Sequence, residues 1–113
     1  MKAYPTSPPV ASQPAPPPDW RDGYESLAAV LDRALMQAAM GKGRDRHAGA
    51  GEPFHDQQIV QFGEWMGSTH FAVGQACKKA IESTRLDRDA AVRELLGAIN
   101  YLAAAVIQLE RGK

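Results

Sequence analysis

The side chains best suited to chemistry in this 113-residue chain are four basic groups in one glycine-rich segment. Lys42, Arg44, Arg46 and His47 crowd together within residues 41–51. Glycines on either side let backbone N–H groups turn toward an anion, and arginine offers paired hydrogen bonds to phosphate. We therefore predict that this segment binds a phosphate-bearing small ligand.

The known phosphate-binding motifs are absent. The P-loop pattern G-x-x-x-x-G-K-[ST] and the dinucleotide fingerprint G-x-G-x-x-G do not occur, and Gly41-Lys42-Gly43 follows a predicted helix rather than a strand. The alternative interpretation is a solvated connection whose charges keep the chain soluble. The residue types alone leave both interpretations open.

A second basic group lies further along the chain. Gln75, Lys78 and Lys79 share one face of a predicted helix. They complete the predicted ligand pocket if this face turns toward the glycine-rich segment. In the alternative, both lysines pair with Glu82 on their own helix.

Neither catalytic residues nor metal ligands are predicted. The histidines and the single Cys77 lack the close pairs of structural zinc sites, and Cys77 falls on a predicted buried face. No close set of carboxylates is predicted: Glu82 stands alone on the third helix, and Glu94 and Glu110 are far apart on the fourth. Pairing of the two helices could bring Glu82 near Glu94, but a magnesium site needs more oxygen ligands than these. We predict no cofactor, and keep a magnesium-dependent all-α nucleotide pyrophosphohydrolase as an alternative.

The chain divides by composition into two parts. Seven of the eight prolines precede Asp19, so we predict a disordered, proline-rich tail over residues 1–19. Residues 20–113 form one predicted helical domain. The balanced net charge of +0 argues against nucleic acid as a partner, and one cysteine is typical of a reducing cytoplasm.

The apolar spacing of residues 20–113 predicts about four helices and no strand. The first ends near Gly41, the second starts at Pro53 and ends at Gly67, the third covers residues 70–86, and the fourth is capped by Asp87. The short link between the last two predicts an antiparallel hairpin. The predicted buried side chains are Leu27, Leu31, Ala34, Leu35 and Ala38 in the first helix, Ile59, Phe62 and Met66 in the second, and Val73, Cys77, Ala80, Ile81 and Thr84 in the third.

The last helix is apolar on nearly every side over residues 94–110. A helix of that kind must be covered all round, and so short a chain has few elements to cover it. We therefore predict a homo-oligomer, in which Asn100 fixes the register. Its apolar run of about 15 residues is shorter than the roughly 20 that span a bilayer, so we predict no membrane association. The predicted interface residues are Leu95, Ile99, Asn100, Leu102 and Val106.

Four motifs carry a resemblance. The patterns G-K-G-x-x-R-H at residues 41–47, P-F-x-x-Q-x-I at 53–59, G-Q-x-x-K-K at 74–79 and E-L-L-G-A-I-N-Y at 94–101 resemble small uncharacterised phage and prophage helical proteins. More loosely, the chain is similar to phage helical-hairpin proteins that sequester cyclic nucleotide immune signals. That resemblance implies a small oligomer in the bacterial cytoplasm that binds an anionic ligand without turning it over.

The sequence thus favours a non-enzymatic, oligomeric binder of a nucleotide or cyclic nucleotide signal, acting as a phage anti-defence protein. The second hypothesis is a protein-interaction module that inhibits a host defence complex through the apolar last helix and the proline-rich tail.

Overall fold

The computed structural model describes residues 15–40 and 52–112. Over those residues the chain is all-helical, with four α-helices and no strand, as predicted. A short 3-10 helix, Phe54–Asp56, precedes the second α-helix. The four α-helices are α1 (Glu25–Met40), α2 (Gln58–Met66), α3 (His70–Ser83) and α4 (Arg88–Arg111).

Two predicted helix ends are confirmed by their local geometry. The Asp87 carboxylate accepts a hydrogen bond from the Ala90 N–H at 3.0 Å and so caps α4. Gly67 ends α2 with φ 72°, a left-handed conformation that glycine adopts without a Cβ clash.

Two other boundaries differ from the prediction. Pro53 starts the 3-10 helix rather than α2, because Gln57 is extended (ψ 161°) and separates the two elements. Helix α3 ends at Ser83, three residues before the predicted end. There the Ser83 hydroxyl turns back to donate to the Ala80 carbonyl at 2.6 Å, and Thr84 does the same to Ile81 at 2.7 Å.

Helix α4 organises the fold, since α1, α2 and α3 all pack on it and α3 does so most extensively. The core is built largely from alanine, which makes up six of the ten buried apolar residues in the described ranges. Those ten are Ala34, Ile59, Val60, Ala72, Ala76, Leu96, Ala98, Tyr101, Ala104 and Ala105.

The predicted buried faces of α1 and α3 are largely wrong. In α3 the buried side chains are Ala72, Ala76 and Ser83, whereas Cys77 is exposed. Alanine on both helices allows α3 and α4 to approach closely, and larger side chains at that contact would hold them apart. In α1 Ala34 is the buried residue. The predicted core residues Leu27, Leu31, Leu35, Val73 and Ile81 are instead exposed.

Helix α2 follows its prediction in part. Ile59 is buried as expected, together with Val60 and Gly63. Met66 is exposed, and Phe62 lies at the surface with its ring 5.2 Å from that of Phe71. The predicted tail lies outside the described residues up to position 14, and so does the glycine-rich segment 41–51.

Candidate functional site

The predicted ligand-binding residues divide into two groups. Lys42, Arg44, Arg46 and His47 lie outside the described residues. Gln75, Lys78 and Lys79 lie on α3, where Lys78 is exposed and the other two are half-buried. The described part of the chain therefore contains only the α3 half of the predicted pocket.

Lys79 has partners on α4 rather than on its own helix. Its Nζ lies 3.4 Å from Glu94 Oε1 and 5.9 Å from the centre of the Tyr101 ring. The carbon stem of Lys79 fills the space beside Gly97, where a Cβ would lie 3.2 Å from Lys79 Cδ. Lys79 thus fastens α3 to α4, and the predicted alternative of pairing with Glu82 does not describe it.

The predicted interface residues on α4 have different environments. Leu95, Leu102 and Val106 are 44%, 49% and 53% exposed, although they are large and apolar. Ile99 is half-buried. Asn100 contacts its own chain, since its side-chain amide donates to the Ala34 carbonyl at 3.0 Å and ties α1 to α4.

One further residue belongs to this surface, and the predicted interface set left it out although it lies in the predicted apolar run. Leu109 is 68% exposed and lies one helical turn beyond Val106 on the same face of α4. The signal was present in the sequence, because Leu102, Val106 and Leu109 follow each other at intervals of four and three residues. We call the exposed set Leu95, Leu102, Val106 and Leu109 the apolar stripe of α4.

Polar contacts hold the far end of α4 in place beside this stripe. Gln108 Nε2 donates to the Ser68 carbonyl at 2.9 Å, and its side chain occupies the space where a Cβ on Gly63 would be. Arg111 Nε lies 3.5 Å from Glu64 Oε2, and its guanidinium also donates to the His55 carbonyl. The core-facing side of α4 thereby contacts its own chain, whereas the stripe is the side that is left exposed.

A second apolar feature is a groove of about 490 Å³ between α1, the 3-10 helix and α4. Alkyl and aromatic side chains line most of it, including Leu31, Leu35 and Phe54. Gln57 is 6% exposed at the wall and donates to the Glu52 carbonyl at 3.0 Å. The groove has the chemistry of an apolar surface rather than that of a phosphate site.

Two further findings concern the described residues only. Within 15–40 and 52–112, His, Cys, Asp and Glu form no group of three that could hold a metal ion. Of the helices in that part of the chain, α4 is the one long and apolar enough to cross a membrane by length and composition. It reaches that length because it begins at Arg88, six residues before the apolar run counted in the sequence.

Comparison with known proteins adds no relative: no family model matches the chain, and the searches of curated proteins and of solved structures find no similar protein.

Proposed function

We propose that this chain is a non-enzymatic protein-interaction module whose working surface is the apolar stripe of α4. One observation carries the proposal: the described residues bury mostly alanine, while seven of their eight leucines and all three of their methionines are exposed. A lone soluble domain buries its large apolar side chains, because each contributes about 1.5–3 kcal/mol when fully removed from water. The reverse distribution is typical of a subunit whose partner completes the core.

The pairing of α3 with α4 supports this proposal by giving the stripe a rigid base. We infer that the two helices form the antiparallel hairpin expected from the sequence. Lys79 lies beside Glu94, and the Phe71 ring lies 6.2 Å from Tyr101, so positions advance on α4 as they recede on α3.

Charge placed on the stripe tests the proposal. In Leu102→Lys with Val106→Lys, two ammonium groups would have to be desolvated in any protein contact there, so binding should fall at least 100-fold. The matched control, Ser26→Lys with Ala29→Lys, adds the same charge to exposed positions of α1. Sedimentation velocity between 1 and 100 µM measures self-association, and chemical cross-linking in producing cells followed by mass spectrometry detects other partners.

Wild type and control should associate, while the stripe variant stays monomeric and uncross-linked with an unchanged helical circular dichroism spectrum. The proposal is wrong if wild-type protein remains a monomer across the range and cross-links to nothing, or if both double variants behave alike. The resemblance to phage proteins makes a host defence complex the first heterologous partner to examine, in the bacterial cytoplasm.

Capture of a phosphate-bearing ligand remains a second candidate function. Its support in the described residues is the exposed Lys78 with Gln75 one turn earlier, and in the sequence it is the basic cluster around Arg44 and Arg46. Titration calorimetry against nucleotides and cyclic dinucleotides tests it. Binding that disappears in Arg44→Ala with Arg46→Ala supports it, and the absence of binding to every compound contradicts it.

Incubation of the protein with nucleotides and Mg²⁺ tests the pyrophosphohydrolase alternative by the appearance of product.

A further inference from the structure

The exposed side of α4 carries a heptad repeat. Apolar residues occur at positions 92, 95, 99, 102, 106 and 109, so steps of three and four residues alternate throughout. This is the spacing of the a and d positions of a coiled coil, with 92, 99 and 106 at a and 95, 102 and 109 at d. Alternation of this kind places all six side chains on one face of the helix.

The residue types divide cleanly between the two positions. Each a position holds a β-branched residue, and each d position holds leucine. The a set is Val92, Ile99 and Val106, and the d set is Leu95, Leu102 and Leu109. In coiled coils this division favours two parallel strands, whereas leucine at a with isoleucine at d favours higher oligomers.

The fold leaves this face uncovered. The three leucines and Val106 are 44–68% exposed, and Val92 and Ile99 are half-buried. On the other sides α4 is occupied by its own chain: Glu94 pairs with Lys79, and Asn100 donates to Ala34. Most of this face therefore lies apart from the side of the helix that builds the monomer, and Ile99 at its edge also lines the groove between α1 and α4.

We propose that a second copy of this chain covers the stripe, with the two α4 helices paired in parallel and in register about a two-fold axis. This inference rests on the proposed function and names its partner. In that pairing Leu102 faces Leu102 of the other copy, and Ile99 faces Ile99. Each pair of facing residues then has the residue type that its heptad position favours in a parallel dimer. An antiparallel pair would instead set leucine against valine or isoleucine.

The area that a stable dimer needs sets a further requirement. Removing the exposed half of six such side chains from water buries on the order of 300 Å² per copy. Specific interfaces bury about 800 Å² per partner. The dimer must therefore also cover apolar side chains beside the stripe, and the exposed Leu27, Leu31 and Leu35 of α1, the helix that packs on α4, are of the required kind.

Disulfide trapping tests both the partner and the orientation. The exposed Cys77 is first replaced by Cys77→Ser, and Leu95→Cys, Leu102→Cys and Leu109→Cys are then made singly in that background. In a parallel, in-register pair, equivalent d positions lie close enough for a disulfide, which needs a Cα–Cα distance of about 4.4–6.8 Å. Mild oxidation should therefore link all three variants into covalent dimers, and dilution should not slow the reaction until the dimer dissociates.

The control and the contrary outcomes are distinct. Ala29→Cys, exposed on α1, reports random collision and should cross-link at least ten-fold more slowly. In an antiparallel pair each d position faces an a position of the other copy, so a sedimenting dimer in which none of the three variants cross-links overturns the parallel register. A wild-type monomer by sedimentation at 100 µM overturns the second copy as partner, but leaves the proposed function standing if the stripe still cross-links to another protein. Association of that monomer with lipid vesicles would assign the stripe to a membrane surface instead.

Discussion

The two sides of α4 differ in the size and the burial of their apolar side chains. Toward the core of its own chain the helix presents Ala98, Ala104 and Ala105, which are almost completely buried. On the apolar stripe it presents large side chains that are about half exposed or more. The contrast separates two kinds of apolar surface. Alanine allows two helices of one chain to approach closely while burying little area, whereas the leucines and Val106 of the stripe leave a large apolar area exposed.

The largest effect on the free energy of unfolding should come from changing side-chain size at two nearby positions of α4, one buried and one on the apolar stripe. Ala104 is 1% exposed, so Ala104→Leu forces extra volume into a tight helix contact and should cost about 3 kcal/mol of the free energy of unfolding. Leu102→Ala, two residues away on the stripe, should change the stability of the separated subunit by less than about 0.5 kcal/mol while weakening association. Urea unfolding followed by circular dichroism at several protein concentrations measures both quantities. Equal losses of unfolding free energy in the two variants at the lowest protein concentration would contradict the proposed difference between the two sides of α4.

A smaller effect is expected where α1 is fastened to α4. Asn100→Ala removes the hydrogen bond from the side-chain amide to the Ala34 carbonyl, which should cost about 1 kcal/mol. Amide hydrogen exchange should quicken in α1 and stay unchanged in α3. If Asn100 instead sets the register of an oligomer, the variant changes subunit number in sedimentation while the exchange in α1 does not move.

The last prediction compares the same glycine-to-alanine substitution at two positions, one with open space beside the backbone and one where a side chain fills that space. At Gly74 no atom lies within 4 Å of an added Cβ, so Gly74→Ala should stabilise α3 by up to about 1 kcal/mol through helix propensity. At Gly63 the added Cβ would lie 1.9 Å from Gln108 Oε1. Gly63→Ala must displace that side chain and break its bond to Ser68, so it should destabilise the fold by about 1 kcal/mol. Thermal unfolding ranks the pair, and a more stable Gly63→Ala would show that Gln108 relocates freely.

Sequence reasoning succeeded where the cause was local. Asp87 caps α4 because its carboxylate reaches an N–H three residues on, and Gly67 ends α2 because it adopts a left-handed conformation; neither needs a distant partner. It failed on the buried face of α3. Val73 and Ile81 have helical spacing and are more hydrophobic than Ala72 and Ala76, which are buried in their place. Spacing alone does not show which of two adjacent apolar faces packs against the neighbouring helix.

The candidate site shows the same division. The excess of apolar residues on α4 was visible in the sequence, and so was the spacing that includes Leu109. Lys79 was expected to bind a ligand or Glu82. Its contact with Glu94, 15 positions further along the chain, exists only when α3 and α4 pack together. The predicted phosphate ligands Lys42, Arg44, Arg46 and His47 stay a prediction.

By itself, the sequence determined the helical composition, several helix ends and the presence of more apolar surface than one subunit can hide, because these depend on period, capping chemistry and composition. The tertiary structure alone decided which surface is buried. Close packing of α3 and α1 on α4 selected faces that carry alanine, since small side chains permit the shortest distance between helices, while α2 contributes Ile59 and Val60. This packing left the apolar stripe of α4 exposed.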